Sequence, residues 1–183
     1  DETADDATVA AFERAAREAD IVIAEGGAWE SNPISPDEES RKVAIRFNQE
    51  RLALADRIGA LCCLNVAGSR GATWDGPHPD NLTPDTFDLI VQTVREIIDG
   101  VKPQRAYYCL ETMPWVFPDS PDSYLSLYKA IDRRRFGVHL DPVNLISSPR
   151  LLYFNAALLH ECFDKVGPYI VSCHAKDIAL QED

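Results

Sequence analysis

Phe136-Gly137-Val138-His139-Leu140-Asp141-Pro142-Val143-Asn144 is an apolar run that ends on a carboxylate and then meets a proline. That pattern reads as a buried strand delivering Asp141 to a loop. Two other runs end the same way: Arg105 to Glu111, just before Thr112-Met113-Pro114, and Tyr169 to His174, just before Ala175-Lys176-Asp177. Each closes on a metal-type ligand, Glu111, Asp141 or His174, at separations of 30 and 33 residues. Such separations are about one strand-plus-helix unit of a parallel α/β fold. With the strands side by side the three ligands converge at one end of the sheet. Two carboxylates and an imidazole suit one divalent cation, Mn2+, Mg2+, Co2+ or Zn2+. Taken singly, a carboxylate after a strand is more often a helix cap or a loop residue.

The 183 residues, 45% of them hydrophobic, are enough to bury a sizeable core, and no linker or low-complexity tract divides them, so one domain is expected over 1–183. A net charge of −12 argues against a nucleic-acid or anionic-membrane partner. Cys62, Cys63, Cys109, Cys162 and Cys173 are odd in number and lie mostly inside apolar runs without C-x-x-C spacing. They read as small buried hydrophobes of a reducing, cytoplasmic compartment. No apolar stretch approaches the roughly 18 residues of a membrane span, and no signal sequence is visible.

Working along the chain, Val9, Phe12, Ala16 and Ala19 recur at helical spacing over about 6–19. Ile21-Val22-Ile23-Ala24-Glu25, closed by Gly26-Gly27, predicts a fully buried strand. Ser35-Pro36-Asp37-Glu38 supplies an N-cap, a proline at the first helical position and an acid three residues later, so a helix is predicted to about Ile58, ended by Gly59. Ala60 to Val66 is the next apolar run. The same punctuation recurs at Thr83-Pro84, Ser120-Pro121 and Ser148-Pro149, the last opening a helix from Leu151 to Val166 closed by Gly167.

Five strands alternating with helices argue for a parallel sheet. No G-x-G-x-x-G turn marks a doubly wound dinucleotide fold, whereas functional residues at several strand ends fit a (β/α)8 TIM barrel. A full barrel takes eight strands and about 250 residues. The chain is therefore expected to be a partial barrel, about strands three to seven, incomplete at both ends. Its open sheet edges favour pairing with another chain, so a homo-oligomer is compatible with this reading.

Glu25-Gly26-Gly27-Ala28-Trp29, Asn65-Val66-Ala67-Gly68-Ser69, Leu110-Glu111-Thr112-Met113-Pro114-Trp115, His139 to Asn144 and Cys173-His174-Ala175-Lys176-Asp177 together resemble the sugar-phosphate isomerase/epimerase family of xylose-isomerase-like TIM barrels. The resemblance implies one metal held by Glu, Asp, His and Glu of the fifth to eighth strands. Glu111, Asp141 and His174 match the first three, and the fourth is expected beyond Asp183. By the same resemblance Glu111 is a catalytic base as well as a ligand.

His139 precedes Asp141 by two, so strand alternation puts both on one face, where His139 lines the pocket or stays a core histidine. Asn144 stands where many relatives carry a substrate-contacting histidine. Lys176, two after His174, is placed to hold a substrate hydroxyl or phosphate and to take part in catalysis, with Asp177 fixing it, or else to form a loop ion pair. Trp29, Trp74 and Trp115 follow strands, where aromatics either stack on a sugar or cover a helix; Trp29 and Trp115 are taken as candidates for the first. Glu25 closes its strand much as Glu111 does and is placed either to reach the pocket rim or to serve as a polar loop residue. His78 and His160 are left out of the site.

The function this implies is a divalent-metal-dependent sugar or sugar-phosphate isomerase/epimerase, transferring a proton through a metal-stabilised enediolate on a small sugar or cyclitol. The alternatives are an inosose dehydratase-like hydro-lyase and a degenerate barrel serving as a non-catalytic interaction module. An endonuclease of the abasic-site type is disfavoured by four histidines and the net charge of −12.

Overall fold

The computed structural model of the chain describes residues 4–179, so the domain expected over 1–183 has residues 1–3 and 180–183 outside the described part. The elements are α1 (Asp6–Glu18), β1 (Glu25–Gly27), α2 (Glu38–Ile58), β2 (Cys62–Asn65), α3 (Pro84–Val101), β3 (Tyr107–Glu111), α4 (Pro121–Ile131), β4 (Phe136–Leu140), α5 (Pro149–Tyr153), α6 (Asn155–Val166) and β5 (Ile170–Cys173). All strand pairs are parallel, and the strands lie side by side in chain order. A doubly wound sheet reverses its strand order at a switch point. Here the order never reverses, which is the arrangement of an arc of a (β/α)8 barrel.

The arc has two faces. Outward, Cys63, Tyr108, Leu110, Phe136, Val138 and Leu140 pack with Leu52, Ile90, Val94, Ile97, Leu127, Ile131 and Leu158 of the helices. Inward, Cys62, Leu64 and Cys109 form a separate small cluster with Tyr107 and Val171. Both faces are covered, so the strands read as continuous apolar runs rather than as alternating ones.

Two devices shape the inner face near the strand ends. The ladder between β4 and β5 shifts register between Val138 and His139, and Val171 fills the space that a side chain at Gly137 would need. A bulge of this kind re-aims the residues that follow it, here Ser172 and His174. From α4, the Tyr124 hydroxyl accepts from His139 N at 2.9 Å and donates to Leu110 O at 2.5 Å, splicing itself between β3 and β4 one step below the site.

Helix starts at Thr83, Ser120 and Ser148 are N-capped as their Ser/Thr-Pro signals predict, and Gly59 ends α2 at φ 74°. Four expectations are corrected. The cap of α2 is Asp37, whose carboxylate accepts from Ser40 N at 2.8 Å, because the Ser35 hydroxyl is taken by Asp37 N at 3.2 Å in a turn two residues earlier. The strand read at Ile21–Glu25 forms its ladder at Glu25–Gly27. Ile21 and Val22 are 63% and 70% exposed, since Ile23 O and Ala24 O bond β2's side alone and no described strand covers the other edge. The helix read as continuous from Leu151 to Val166 is split at Phe154, which leaves helical geometry at φ −112°, ψ 29°. Cys173 is exposed while the other four cysteines are buried, because β5 is the far edge strand and no described helix follows to cover it.

Candidate metal centre

The three ligand-type side chains reach one place because the strand ends are tied together. Glu111 pairs with His139 in the β3–β4 ladder, and the Thr112 hydroxyl donates to Asp141 O at 2.7 Å. His174 N continues the β4–β5 ladder by donating to Leu140 O at 3.1 Å. As a result His174 Nδ1 lies 3.2 Å from Asp141 Oδ2 and 3.4 Å from Glu111 Oε1. Asp141 is fully buried and Glu111 nearly so.

Around this trio stand three further groups. Lys176 Nζ contacts Asp141 Oδ2 closely and lies 3.6 Å from Glu111 Oε1. Asn144 Nδ2 donates to Glu111 Oε1 at 3.0 Å. Glu25 reaches across the arc from β1: its Oε1 is 3.2 Å from His174 Nε2 and its Oε2 is 3.6 Å from His139 Nδ1. His139, fully buried, also has Nδ1 2.7 Å from the Ser172 hydroxyl, and its ring meets that of His174 edge-on at 4.2 Å.

The electrostatics divide the two central carboxyls. Burial, and then the hydrogen bond shared with Asp141, pushes Glu111 up against the pull of His174 and Lys176. Burial also pushes Asp141 up, but hydrogen bonds from Lys176 and Glu111 outweigh it and hold the group below its ordinary value. For His174, burial pulls down while bonds to Glu25 and Asp141 raise it further, for a net rise. Lys176 is likewise raised, Asp141 outweighing the cost of burial. Of the paired carboxyls, Asp141 is the one held ionised and Glu111 the one tuned toward protonation.

Two sets of donors have the spacing of a cation site, Glu111 with Asp141 and His174, and Glu25 with His139 and His174, each with its ligand atoms within 4.8 Å of one another. The first set fits a divalent ion on two counts. Asp141 Oδ1 is buried with no hydrogen-bond partner, and an ammonium already rests against the same two carboxylate oxygens that face His174 Nδ1. Oxygen donors with one imidazole suit Mg2+, Mn2+, Co2+ or Zn2+.

The remaining sequence candidates are spread over the rim. Asn144 is half-buried and its amide rests on Glu111. Asp177 does not fix Lys176: its carboxylate accepts from Ile178 N at 2.8 Å, and the lysine turns to Asp141 because that carboxylate is buried and ionised. Trp115 spends its indole N–H on Asp75 O at 2.7 Å, and its carbonyl accepts from Asn81, so it ties the loop after β2 to the loop after β3. Trp29 packs over Gly27 and borders a cleft of 660 Å³ with Trp74, Phe47 and Val43, beside the mouth of the arc. Two members of the cluster go beyond what the sequence reading assigned. Glu25, expected at the rim as the close of its strand, is instead the first residue of β1 and reaches the cluster from the base of the inner face; Ser172 alternates with His174 and had no chemical signature of its own.

The family model described as xylose isomerase-like TIM barrel matches residues 1–183. No curated protein matches the chain in sequence. Among solved structures, the fold is similar to that of endonuclease IV from Thermus thermophilus, with a TM-score of 0.72 and 15% identity over 94% of this chain and 60% of that one. It is similar to D-psicose 3-epimerase with D-tagatose from Clostridium cellulolyticum, at 0.68 and 18% over 93% and 58%. A xylose isomerase-like TIM barrel protein from Mycobacterium smegmatis in complex with magnesium matches at 0.66 and 19% over 96% and 57%. The chain thus spans about 60% of the length of the structures it matches, and at these identities the likeness is one of fold.

Proposed function

The chain belongs to the xylose isomerase-like TIM barrel family, and on that premise we propose that it acts as a metal-dependent sugar or sugar-phosphate isomerase or epimerase. The reaction is proton transfer at a carbon beside a carbonyl. One observation carries the reading: two buried carboxyls tuned in opposite directions meet an imidazole at the ends of three neighbouring strands. A divalent ion held by Glu111, Asp141 and His174 would supply the Lewis acidity that makes such a proton removable near neutral pH.

The chain's own groups account for the rest. Asp141, ionised and buried, contributes fixed negative charge. Glu111, pushed toward its neutral form, is suited to take a proton and return it, and the Asn144 amide on Oε1 holds its orientation. Lys176 can donate to a hydroxyl or phosphate oxygen of the substrate from beside the same oxygens. A net charge of −12 favours a small sugar over a phosphodiester backbone.

The test is metal analysis of the wild-type protein and of Glu111→Ala, followed by solvent-deuterium exchange into a panel of ketoses and inososes. One bound ion, lost or weakened at least about tenfold in the variant, and deuterium beside the carbonyl are expected. Exchange accompanied by loss of water from an inosose would move the reading to a hydro-lyase. Absence of both metal and exchange would sink it and leave an interaction module.

A further inference from the structure

Both ring nitrogens of His174 are engaged, on opposite sides. Nδ1 faces Asp141 Oδ2 at 3.2 Å and Glu111 Oε1 at 3.4 Å, while Nε2 faces Glu25 Oε1 at 3.2 Å. A neutral imidazole has one lone pair and one N–H, so only one side can bind a cation while the other donates a hydrogen bond. The two overlapping donor sets are therefore alternatives, and the surroundings choose between them.

The set on the Nε2 side would hold a dication with one carboxylate, Glu25, and would need a nitrogen of His139. That histidine has Nδ1 2.7 Å from the Ser172 hydroxyl, and its Nε2 is sealed in the core with no partner. The set on the Nδ1 side has two carboxylates, and the Lys176 ammonium has already gathered there. Positive charge is better compensated at the second of these places.

We propose that Glu25 is a positioning residue for the metal ligand His174, holding the imidazole as the Nε2–H tautomer so that the Nδ1 lone pair faces the site of Glu111 and Asp141. The carboxylate is placed to do this because β1 pairs with β2 at Glu25↔Cys62, which sets the residue at the base of the inner face. From there one oxygen addresses His174 and the other His139, so a single carboxylate orients two rings that meet edge-on. A carboxylate behind a ligating histidine fixes its rotation and raises its basicity. Glu25 needs no contact with substrate for this. The inference rests on the metal-site reading above.

Two measurements test it, and they fail separately. Long-range 1H–15N correlation on metal-free protein, at a pH alkaline enough to neutralise the ring, reads the His174 tautomer directly. The Nε2–H form is expected in the wild type and a mixture in Glu25→Ala; a dominant Nδ1–H form in the wild type would overturn the proposal. Calorimetric titration with Mn2+ is expected to give one ion per chain, weakened about 10–100-fold in Glu25→Ala. Glu25→Gln is expected to recover most of that loss, because an amide oxygen still accepts from Nε2–H. Equal loss in the Ala and Gln variants, or a second ion that both abolish, would make Glu25 a ligand and sink the positioning role. If the wild type binds no Mn2+, the metal reading fails, and the tautomer alone decides the role of Glu25.

Discussion

Lys176 and His174 compete for the same carboxylate oxygens. The ammonium contacts Asp141 Oδ2, which also faces His174 Nδ1, so any ion seated between Asp141 and Glu111 must push the lysine aside or tolerate its charge. Lys176→Gln is accordingly expected to tighten Mn2+ binding by about tenfold, or about 1.4 kcal/mol, in the same titration that weakens Glu25→Ala; unchanged or weaker binding would show that the lysine does not oppose the ion. How much of the site was legible differs residue by residue. Glu111, Asp141 and His174 could be read because each ends an apolar run, and strand period fixes where the last side chain points. The roles of Asn144 and Lys176 could not, since a residue in the loop beyond the strand has its direction set by turns that no period encodes. Asn144 thus holds the Glu111 carboxylate, and Asp177 holds its own loop.

Among the elements, α2 is joined to β3 inside the core by the Tyr108 hydroxyl donating to Asn48 Oδ1 at 2.8 Å, and at the entry to β3 by one carboxylate. The Asp56 carboxylate accepts from Gln104 N at 3.1 Å, Arg105 N at 2.6 Å and Ala106 N at 2.8 Å, pinning the chain as it enters β3. Burial opposes ionisation of this group, but the backbone bonds from Ala106, Arg105 and Gln104 outweigh it and leave the carboxyl below its ordinary value. Its folded value is lower than its unfolded one, so its stabilisation is complete above the ordinary carboxylate range. It is then lost as pH falls through the lower, folded value. Asp56→Ala is expected to cost about 2 kcal/mol near neutrality and to flatten the acid side of the stability profile, read by urea unfolding across pH. Helix starts were legible wherever Ser or Thr precedes Pro directly at the helix, as at Thr83 and Ser120. At Ser35 the same motif closes a turn and Asp37 caps instead, a choice between two local hydrogen bonds that the letters alone leave open. The edge strand was misread for a different reason: Ile21 and Val22 look like core, but an apolar run at a sheet edge is buried only if something lies beside it.

On the scale of the whole molecule, sequential strand order means that each β/α unit packs mainly on the next, much as repeats do in a stacked array. Cooperativity in such an array passes from neighbour to neighbour, and the outermost units fray first. The contact between Glu25 and His174 is of another kind. It spans 149 residues of sequence and joins β1 to the end of β5, the first and last of the described strands, across the inside of the arc. With the contact of Cys62 Sγ in β2 on the Ser172 hydroxyl in β5 at 3.3 Å, this bridge turns a linear array into a closed circuit, so ordering at one edge is felt at the other. Backbone hydrogen exchange should then slow at β1 and β5 together when Mn2+ is added, with β3 little changed, and Glu25→Ala should weaken the coupling of β1 to β5; slowing at β5 alone would show that the circuit is open.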